Sequence, residues 1–257
     1  MLRHYSMAKI ARALGTLVLL SSLCAGAATH AGAAEPAFMR LGRQAPPPPG
    51  YLALCRRLPS ECGLRGASTD LALAPQSGTL RPTAAGFYQK APEIGREAYD
   101  WKAALGVVDT LTGTDSLPPP EQARLPFNRR LLTELQRVSR AVNSRISATS
   151  DMDAFGQEDF WALPLTEGLG HSGNCKHYAL EKRKTLIDNG VDPAALSIAV
   201  VRTPSGEVHA VLVVSTTTGD YVLDNLSPWV VKWSQTGYTW IIRQGSGQPL
   251  AWFSVLT

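Results

Sequence analysis

Three residues in the second half of the chain have the types and the order needed for nucleophilic catalysis: Cys175, His209 and Asp224. A cysteine thiolate attacks a carbonyl carbon, a histidine takes and returns the thiol proton, and an acid orients the histidine. Each residue alone has a commoner explanation, as a buried structural cysteine, a core histidine or an aspartate that stabilises a turn. Their joint arrangement favours a triad if the elements that carry them bring them together.

Cys175 is predicted to open a helix. Asn174 is a favourable N-cap residue, and the segment 176–187 contains no Gly or Pro. It is followed by Asn189-Gly190, a typical helix stop. At the first turn of a helix, the free N–H groups and the helix dipole stabilise a thiolate, and the same N–H groups can bind an oxyanion.

His209 and Asp224 fall in the last third of the chain, where the apolar pattern changes to a period of two. Turn residues separate five β-rich runs, which predict an antiparallel meander: Leu196–Arg202, Glu207–Ser215, Tyr221–Leu226, Trp229–Trp233 and Tyr238–Arg243. His209 and Asp224 share a face if the turn is centred between Thr216 and Thr217, or between Thr217 and Thr218. Either register places imidazole and carboxylate within reach, directly or diagonally.

The first 34 residues have the pattern of a secretory signal peptide. A small and apolar stretch, 13–28, precedes Ala31-Gly32-Ala33, which matches the motif that signal peptidase reads. The basic residues of the signal are Arg3, Lys9 and Arg12. Its leucine-rich core is short for a membrane anchor. We therefore expect a periplasmic protein, cleaved after Ala33 or Ala34, with no stable membrane span after cleavage.

The positive charge of the chain belongs mostly to this signal. The full sequence has 25 Lys+Arg against 21 Asp+Glu, and loss of the three basic signal residues leaves 22 against 21, a net of +1. With 44% hydrophobic and 18% charged residues, the chain can form one or two packed domains. Because the mature chain has no dense basic stripe, we expect no nucleic-acid partner.

Export also makes the cysteines informative, because disulfides form in an oxidising compartment. Loss of Cys24 with the signal leaves Cys55, Cys62 and Cys175. The two cysteines that lie close in sequence predict a disulfide that pins a short N-terminal segment. Cys175 is then an unpaired thiol, which is a liability in an exported protein unless it is buried or used.

The middle of the chain changes character at Pro118–Pro120. Residues 35–50 end in four prolines and a glycine, and Gly, Pro and Ser recur over 55–83, so we expect a linker and irregular structure over 35–120. Apolar residues then recur at spacings of three and four and predict an amphipathic helix: Leu131, Leu135, Val138, Val142 and Ile146. The sequence thus predicts an α+β domain over 121–257, with the Cys175 helix packed on an antiparallel β-sheet.

Several short motifs surround the candidate residues between Val142 and Gln244. They are Asp159–Pro164, Gly173–Ala179, Lys182–Leu186, Gly206–Leu212, Val222–Leu226 and Gly237-Tyr238. Together they resemble the bacterial transglutaminase-like cysteine peptidases. The resemblance implies a papain-like transglutaminase core and an exported peptidase in which Cys175, His209 and Asp224 occupy the triad positions. The best understood members clip large surface adhesins in the periplasm and so release biofilm cells, which implies a protein substrate such as an adhesin.

Two positions beside the cysteine depart from that family. Adhesin-clipping members usually carry acidic residues there, which help bind calcium, whereas this chain has Asn174 and Lys176. An ammonium group supplies no oxygen ligand and repels a cation. We therefore expect no cofactor, and an activity that survives calcium chelation better than that of relatives with acidic flanks. The competing possibility is a calcium site that uses Asp151, Asp153 or Asp159.

Three further residues near Cys175 have other possible roles. His171 and His177 could suggest zinc together with the thiol, but residues 175 and 177 point to different sides of a helix and acid ligands are missing. Trp161 is predicted to line the substrate groove or to assist the oxyanion region. The alternative for Trp161 is an ordinary buried core position.

The sequence is compatible with three classes of function. The prediction is a thiol peptidase that hydrolyses peptide bonds of a periplasmic or surface protein. A transamidase would use the same three residues but accept an amine in place of water. A non-catalytic periplasmic binding protein could keep the same fold.

Overall fold

An antiparallel sheet of seven strands underlies the part of the chain that the structure describes, residues 37–63 and 121–256 of a computed structural model. Its strands are β1 (Arg40–Ala45), β4 (Leu196–Arg202), β5 (Val208–Thr216), β6 (Gly219–Leu223), β7 (Val231–Lys232), β8 (Thr239–Gly245) and β9 (Gln248–Leu256). Their spatial order is β1-β9-β8-β4-β5-β6-β7. The predicted signal peptide and the stretch 64–120 lie outside the described residues.

The order of the strands departs from a simple meander. Strands β4 to β7 are sequential neighbours, as predicted, but β8 returns to pair with β4, and β9 pairs with the outer side of β8. The meander prediction is therefore wrong at its fifth strand, because turn signals do not determine which free edge a later strand joins. Strand β9 was missed, although Gly245-Ser246-Gly247 followed by an apolar run is a strand signal.

The N-terminal segment is more ordered than expected. Strand β1 pairs antiparallel with β9, and helix α1 (Pro49–Arg57) follows it. Pro49 lies in the first turn of α1, where its missing N–H would have no helical partner in any case. Tyr51 and Leu54 of this helix are buried in the core. The expected linker and irregular structure do not hold for these residues, since the last of the four prolines starts a helix.

Two longer helices pack beside the sheet: α2 (Arg129–Arg145) and α4 (Cys175–Asp188). The Asn128 side chain caps α2 by accepting a hydrogen bond from the Leu131 N–H at 2.8 Å. The predicted apolar face of α2 is buried, and α2 packs on α4, which packs on β5. The α+β prediction, with the cysteine helix on an antiparallel sheet, is confirmed.

Short elements connect the two helices. Strands β2 (Ser147–Ala148) and β3 (Ser172–Gly173) form a small parallel pair, and helix α3 (Asp151–Phe155) lies between them in sequence. The Ser150 side chain caps α3 by accepting a hydrogen bond from the Asp153 N–H at 3.1 Å. Because β3 is paired with β2 and ends two residues before Cys175, this small pair fixes the backbone just before the start of α4.

The predicted disulfide between Cys55 and Cys62 is present. It joins the end of α1 to a 3-10 helix, Pro59–Cys62, and both cysteines are buried. Arg183 of α4 donates a hydrogen bond to the carbonyl of Glu61 at 2.9 Å. The disulfide loop is thereby fixed against the helix that carries Cys175.

Both faces of the sheet are covered. Ile198 and Leu212 belong to the core that also contains residues of α1, α2 and α4. Val201 and Val213 belong to a second cluster with Trp233 and Trp240. Over the described ranges, no helix has the length and the apolar character needed to cross a membrane.

Candidate active site

Cys175 is the first residue of α4 and is the free cysteine of the described residues. The backbone N–H of Asn174 donates a hydrogen bond to His177 Nδ1 at 3.0 Å. Burial and the charge of Lys176 lower the pKa of His177 to about 4, so Nδ1 stays unprotonated and can accept this bond. A Cβ at Gly173 would lie 2.9 Å from the His177 side chain, so the close approach before the cysteine requires glycine.

His209 and Asp224 are brought together by the pairing of β5 with β6. Thr216 pairs with Gly219, which centres the turn between Thr217 and Thr218, the second of the two predicted registers. Asp224 directly follows β6 and lies diagonal to His209. His209 Nε2 donates to Asp224 Oδ1 at 2.7 Å, and both side chains are buried.

The Cys175 thiol and the His209 imidazole line the same pocket, and His209 is the group that most lowers the pKa of the thiol. Because Nε2 of His209 is used by Asp224, Nδ1 is the nitrogen that remains for the thiol. The structure therefore brings together all three residues predicted for the triad, in the order Cys175, His209, Asp224.

The charges of the site favour a thiolate beside an imidazolium. Burial by itself would raise the pKa of the Cys175 thiol, but the hydrogen bond and charge of His209 lower it below its ordinary value. Burial by itself would lower the pKa of His209, but its bonds to Asp224 and Cys175 raise it to about 9. The directions of both pKa shifts therefore favour the ionised cysteine and the protonated histidine.

Asp224 has further partners that the sequence did not reveal. Tyr238 Oη donates to Asp224 Oδ2 at 2.5 Å, and the Leu226 N–H donates to Oδ1 at 3.1 Å. Burial alone would raise the pKa of Asp224, but the bonds from His209 and Tyr238 lower it. The Asn143 side chain of α2 donates to the Asp224 carbonyl at 2.9 Å. Tyr238 belongs to the Gly237-Tyr238 motif, but its contact with Asp224 depends on the path of the chain after β7, which the sequence did not predict.

An open pocket leads to the half-buried Cys175. The pocket is lined by His209 and by residues from several other parts of the chain: Asp159, Trp161, Val200, Val208 and Ala210. Val208 is one of the exposed large apolar side chains. The nucleophile is thus accessible to a substrate beside an apolar wall.

Trp161 combines the two positions considered for it. It is 3% exposed and contacts Tyr51 edge to face, with ring centres 5.4 Å apart, yet it also lines the pocket. Its Nε1 donates to Asp159 Oδ1 at 2.8 Å. Asp159 Oδ2 in turn accepts the N–H of Gly50 at 2.9 Å, so α1 supports this wall of the pocket.

The acids considered for calcium are already bonded to protein groups. Asp151 accepts hydrogen bonds from the Phe160 N–H and the Asn174 side chain, and it pairs with Lys176. Within residues 37–63 and 121–256, no group of three or more His, Cys, Asp or Glu could hold a metal ion. His171 faces the Arg145 carbonyl, at 3.2 Å from its Nδ1. The described residues do not form the zinc site that the sequence spacing could suggest.

A family model for the bacterial transglutaminase-like cysteine proteinases, BTLCP, matches residues 118–257, more than half of the chain. The chain belongs to this family. The predicted family and the predicted class of enzyme, a cysteine peptidase, are thereby confirmed. Among curated proteins, none matches the chain.

Solved structures similar to the chain include three of LapG from Legionella pneumophila. The calcium-bound form has 21% identity and a TM-score of 0.42, and the match covers 48% of this chain and 68% of LapG. A second LapG structure has 22% identity and a TM-score of 0.40, with 45% and 64% covered. The EGTA-treated form has 22% identity and a TM-score of 0.39, with 44% and 62% covered. The matched part therefore spans about two thirds of LapG.

Proposed function

We propose that the protein is an exported cysteine peptidase that hydrolyses peptide bonds of a periplasmic or surface protein. Cys175, His209 and Asp224 are the proposed catalytic residues. The observation that carries the proposal is the His209–Asp224 hydrogen bond in a pocket that His209 lines together with Cys175, in a chain that belongs to a cysteine peptidase family.

In the proposed reaction, the Cys175 thiolate attacks the carbonyl carbon of the scissile peptide bond. The free N–H groups at the start of α4 face the developing oxyanion. As the C–N bond breaks, the His209 imidazolium gives its proton to the leaving amine, and a thioester remains on Cys175. The neutral imidazole then takes a proton from a water molecule, which attacks the thioester and releases the carboxylate product.

Asp224 and Tyr238 contribute to these reaction steps through His209. Asp224 accepts the Nε2 proton of His209, which orients the ring and stabilises its protonated form. Tyr238 donates to the other carboxylate oxygen and so fixes the plane of the acid. Tyr238 is therefore a positioning residue in this proposal.

The substrate class follows from the pocket, the export signal and the resemblance to adhesin-clipping peptidases. We propose signal cleavage after Ala33 or Ala34, a peptidase domain over 121–257 and a large surface protein, such as an adhesin, as substrate. The described segment before residue 64 supports the pocket through the Gly50 to Asp159 bond. Trp161 and Val208 offer apolar surface to a substrate side chain.

Comparison of protein N-termini in cells tests this function. Cells that express the wild-type protein or Cys175→Ser at equal levels are compared by mass spectrometry of labelled N-termini on exported proteins. We expect at least one exported protein with a new internal N-terminus only in the wild-type cells. Identical N-termini in both strains would contradict hydrolysis, and new amide cross-links in their place would indicate the transamidase.

A further inference from the structure

Three polar side chains form a closed ring around the flanks of the nucleophile. Asn174 Nδ2 donates to Asp151 Oδ1 at 2.6 Å, and Lys176 Nζ donates to Asn174 Oδ1 at 3.1 Å. Lys176 Nζ also donates to Asp151 Oδ2, which closes the ring. Two members of this ring adjoin Cys175 in sequence, and the third belongs to α3.

The two charged members of the ring are buried, so their charges depend on each other. Asp151 is 6% exposed and Lys176 is 8% exposed. A buried carboxylate without a cation is strongly unfavourable, and the remaining bond to Asp151, from the Phe160 N–H at 2.8 Å, brings no full charge. Lys176 is the cation that Asp151 contacts in the described residues.

We propose that the Lys176 ammonium is the fixed cation of this active site. It holds Asp151 and Asn174 against the start of α4, and it supplies a positive charge beside Cys175 that requires no metal ion. Lys176 is thus a positioning residue for the nucleophile. This inference rests on the proposed function and deepens it, because it concerns the regulation of the same thiol.

The oxygen atoms beside the cysteine do not fit calcium in this chain. Asp151 Oδ2 and Asn174 Oδ1, the hard oxygens that calcium would prefer, both accept from Lys176 Nζ. A calcium ion would have to displace an ammonium group that is covalently tethered next to Cys175. The flanks of Cys175 therefore do not offer a calcium site, and we infer a calcium-independent nucleophile.

The charge of Lys176 also acts on the thiol itself. This charge lowers the pKa of Cys175, after the larger influences of His209 and of the Ala210 backbone on β5. A positive charge near a thiolate stabilises the ionised form. Lys176 therefore acts on Cys175 from the same helix, α4, whereas the His209 imidazole acts on it from β5.

Titration of the Cys175 thiolate by its ultraviolet absorbance tests the inference. Wild type is compared with Lys176→Met, which removes the charge, and with Lys176→Arg, which keeps it. Lys184→Met is the matched control, because Lys184 lies on the same helix and pairs with exposed Asp188. Each protein is titrated in EGTA and in millimolar calcium, and thermal unfolding is followed in both buffers.

We expect the wild-type thiol midpoint and melting temperature to be the same in EGTA and in calcium. Lys176→Met should hold severalfold less thiolate at a given acidic pH, whereas Lys176→Arg and Lys184→Met should titrate like wild type. A calcium-dependent midpoint or melting temperature of the wild type would overturn the inference. So would a Lys176→Met protein that titrates like wild type, or a Lys176→Arg protein that titrates like the Met variant.

The wild-type comparison in EGTA and calcium decides the inference even if Lys176→Met does not fold. The titration also needs no substrate. The expected thiol behaviour without any proteolysis would contradict the proposed function alone, and proteolysis with a calcium-dependent thiol would contradict the fixed cation alone.

Discussion

Two buried aspartates at the two ends of β6 have opposite surroundings. Asp220, near the start of the strand, is enclosed by groups that keep their protonation state. It accepts hydrogen bonds from the Met39 N–H at 2.8 Å, from Arg243 at 3.1 Å and from the Ser215 hydroxyl at 2.7 Å. Arg243 is itself fully buried and also donates to Ser215.

Asp224, just after the strand, is buried to a similar degree but faces a group that changes its protonation state. Its partner His209 lines the open pocket together with Cys175. An arginine stays charged at physiological pH, whereas an imidazole gains and loses a proton. The comparison teaches that burial of an acid alone does not indicate a catalytic site, whereas a titratable partner next to a pocket supports the proposal of one.

The largest difference between the two aspartates should be in activity. Asp224→Asn removes the carboxylate that orients the His209 ring, so we expect kcat/KM to fall by roughly 10³- to 10⁴-fold. The free energy of unfolding should fall less than in Asp220→Asn, because His209 can release its proton once the carboxylate is gone. Peptidase assays and denaturant unfolding of the purified variant measure both quantities; a loss below tenfold would remove Asp224 from the proposed machinery.

Asp220→Asn should show the reverse behaviour. It leaves the buried Arg243 guanidinium without its carboxylate, so we expect the free energy of unfolding to fall by about 3 to 5 kcal/mol. The folded molecules should keep wild-type kcat/KM, since Asp220 does not line the pocket. Urea titration with activity measured on the folded fraction checks this, and an unchanged midpoint would show that the pair is not structural.

The pH profile should separate the two acids again. The active pair forms as pH rises through the lowered pKa of Cys175, and it is lost as pH rises through the His209 pKa of about 9. The bond from Asp224 helps raise that value, so in Asp224→Asn the alkaline limb of kcat/KM should move to lower pH. Asp220→Asn should leave the limb in place. An alkaline limb at the same pH in wild type, Asp224→Asn and Asp220→Asn would refute the claim that Asp224 raises the pKa of His209.

Tyr238→Phe should have the smallest effect. The change removes one hydrogen bond to Asp224 and leaves the His209 bond intact, so we expect kcat/KM to fall by about tenfold. A change in kcat without a change in KM would fit a residue that acts through the acid. Tyr221→Phe, which affects a tyrosine of β6 that does not line the pocket, is the matched control and should retain wild-type kinetics.

Local signals predicted the parts of the site that depend on neighbours in sequence. The cap, the glycine stop and the strand alternation were enough to place Cys175 at a helix start and to limit the β5–β6 register to two choices. Contacts that depend on the order of strands were not predictable. Tyr238 reaches Asp224 only because the chain returns after β7, and β8 joins β4 rather than β7.

The polar ring illustrates the same limit. Asp151 and Lys176 were both noted in the sequence, one as a possible calcium ligand and the other as a departure from the family. Their direct pairing depends on α3 packing against the start of α4, and no local pattern encodes that contact. Tertiary packing thus joins Asp151 and Lys176 in one ion pair, which the sequence did not predict.

The most direct test of the triad is alkylation of Cys175 by iodoacetamide at about pH 6, where an ordinary thiol is almost fully protonated. Wild type and His209→Ala are compared by intact mass, with folding verified by circular dichroism. We predict that wild-type Cys175 reacts readily and that His209→Ala reacts at least about tenfold more slowly, because the imidazolium stabilises the thiolate. Equal rates in the two folded proteins, or no reaction of the wild type below the ordinary thiol range, would contradict an activated Cys175–His209 pair.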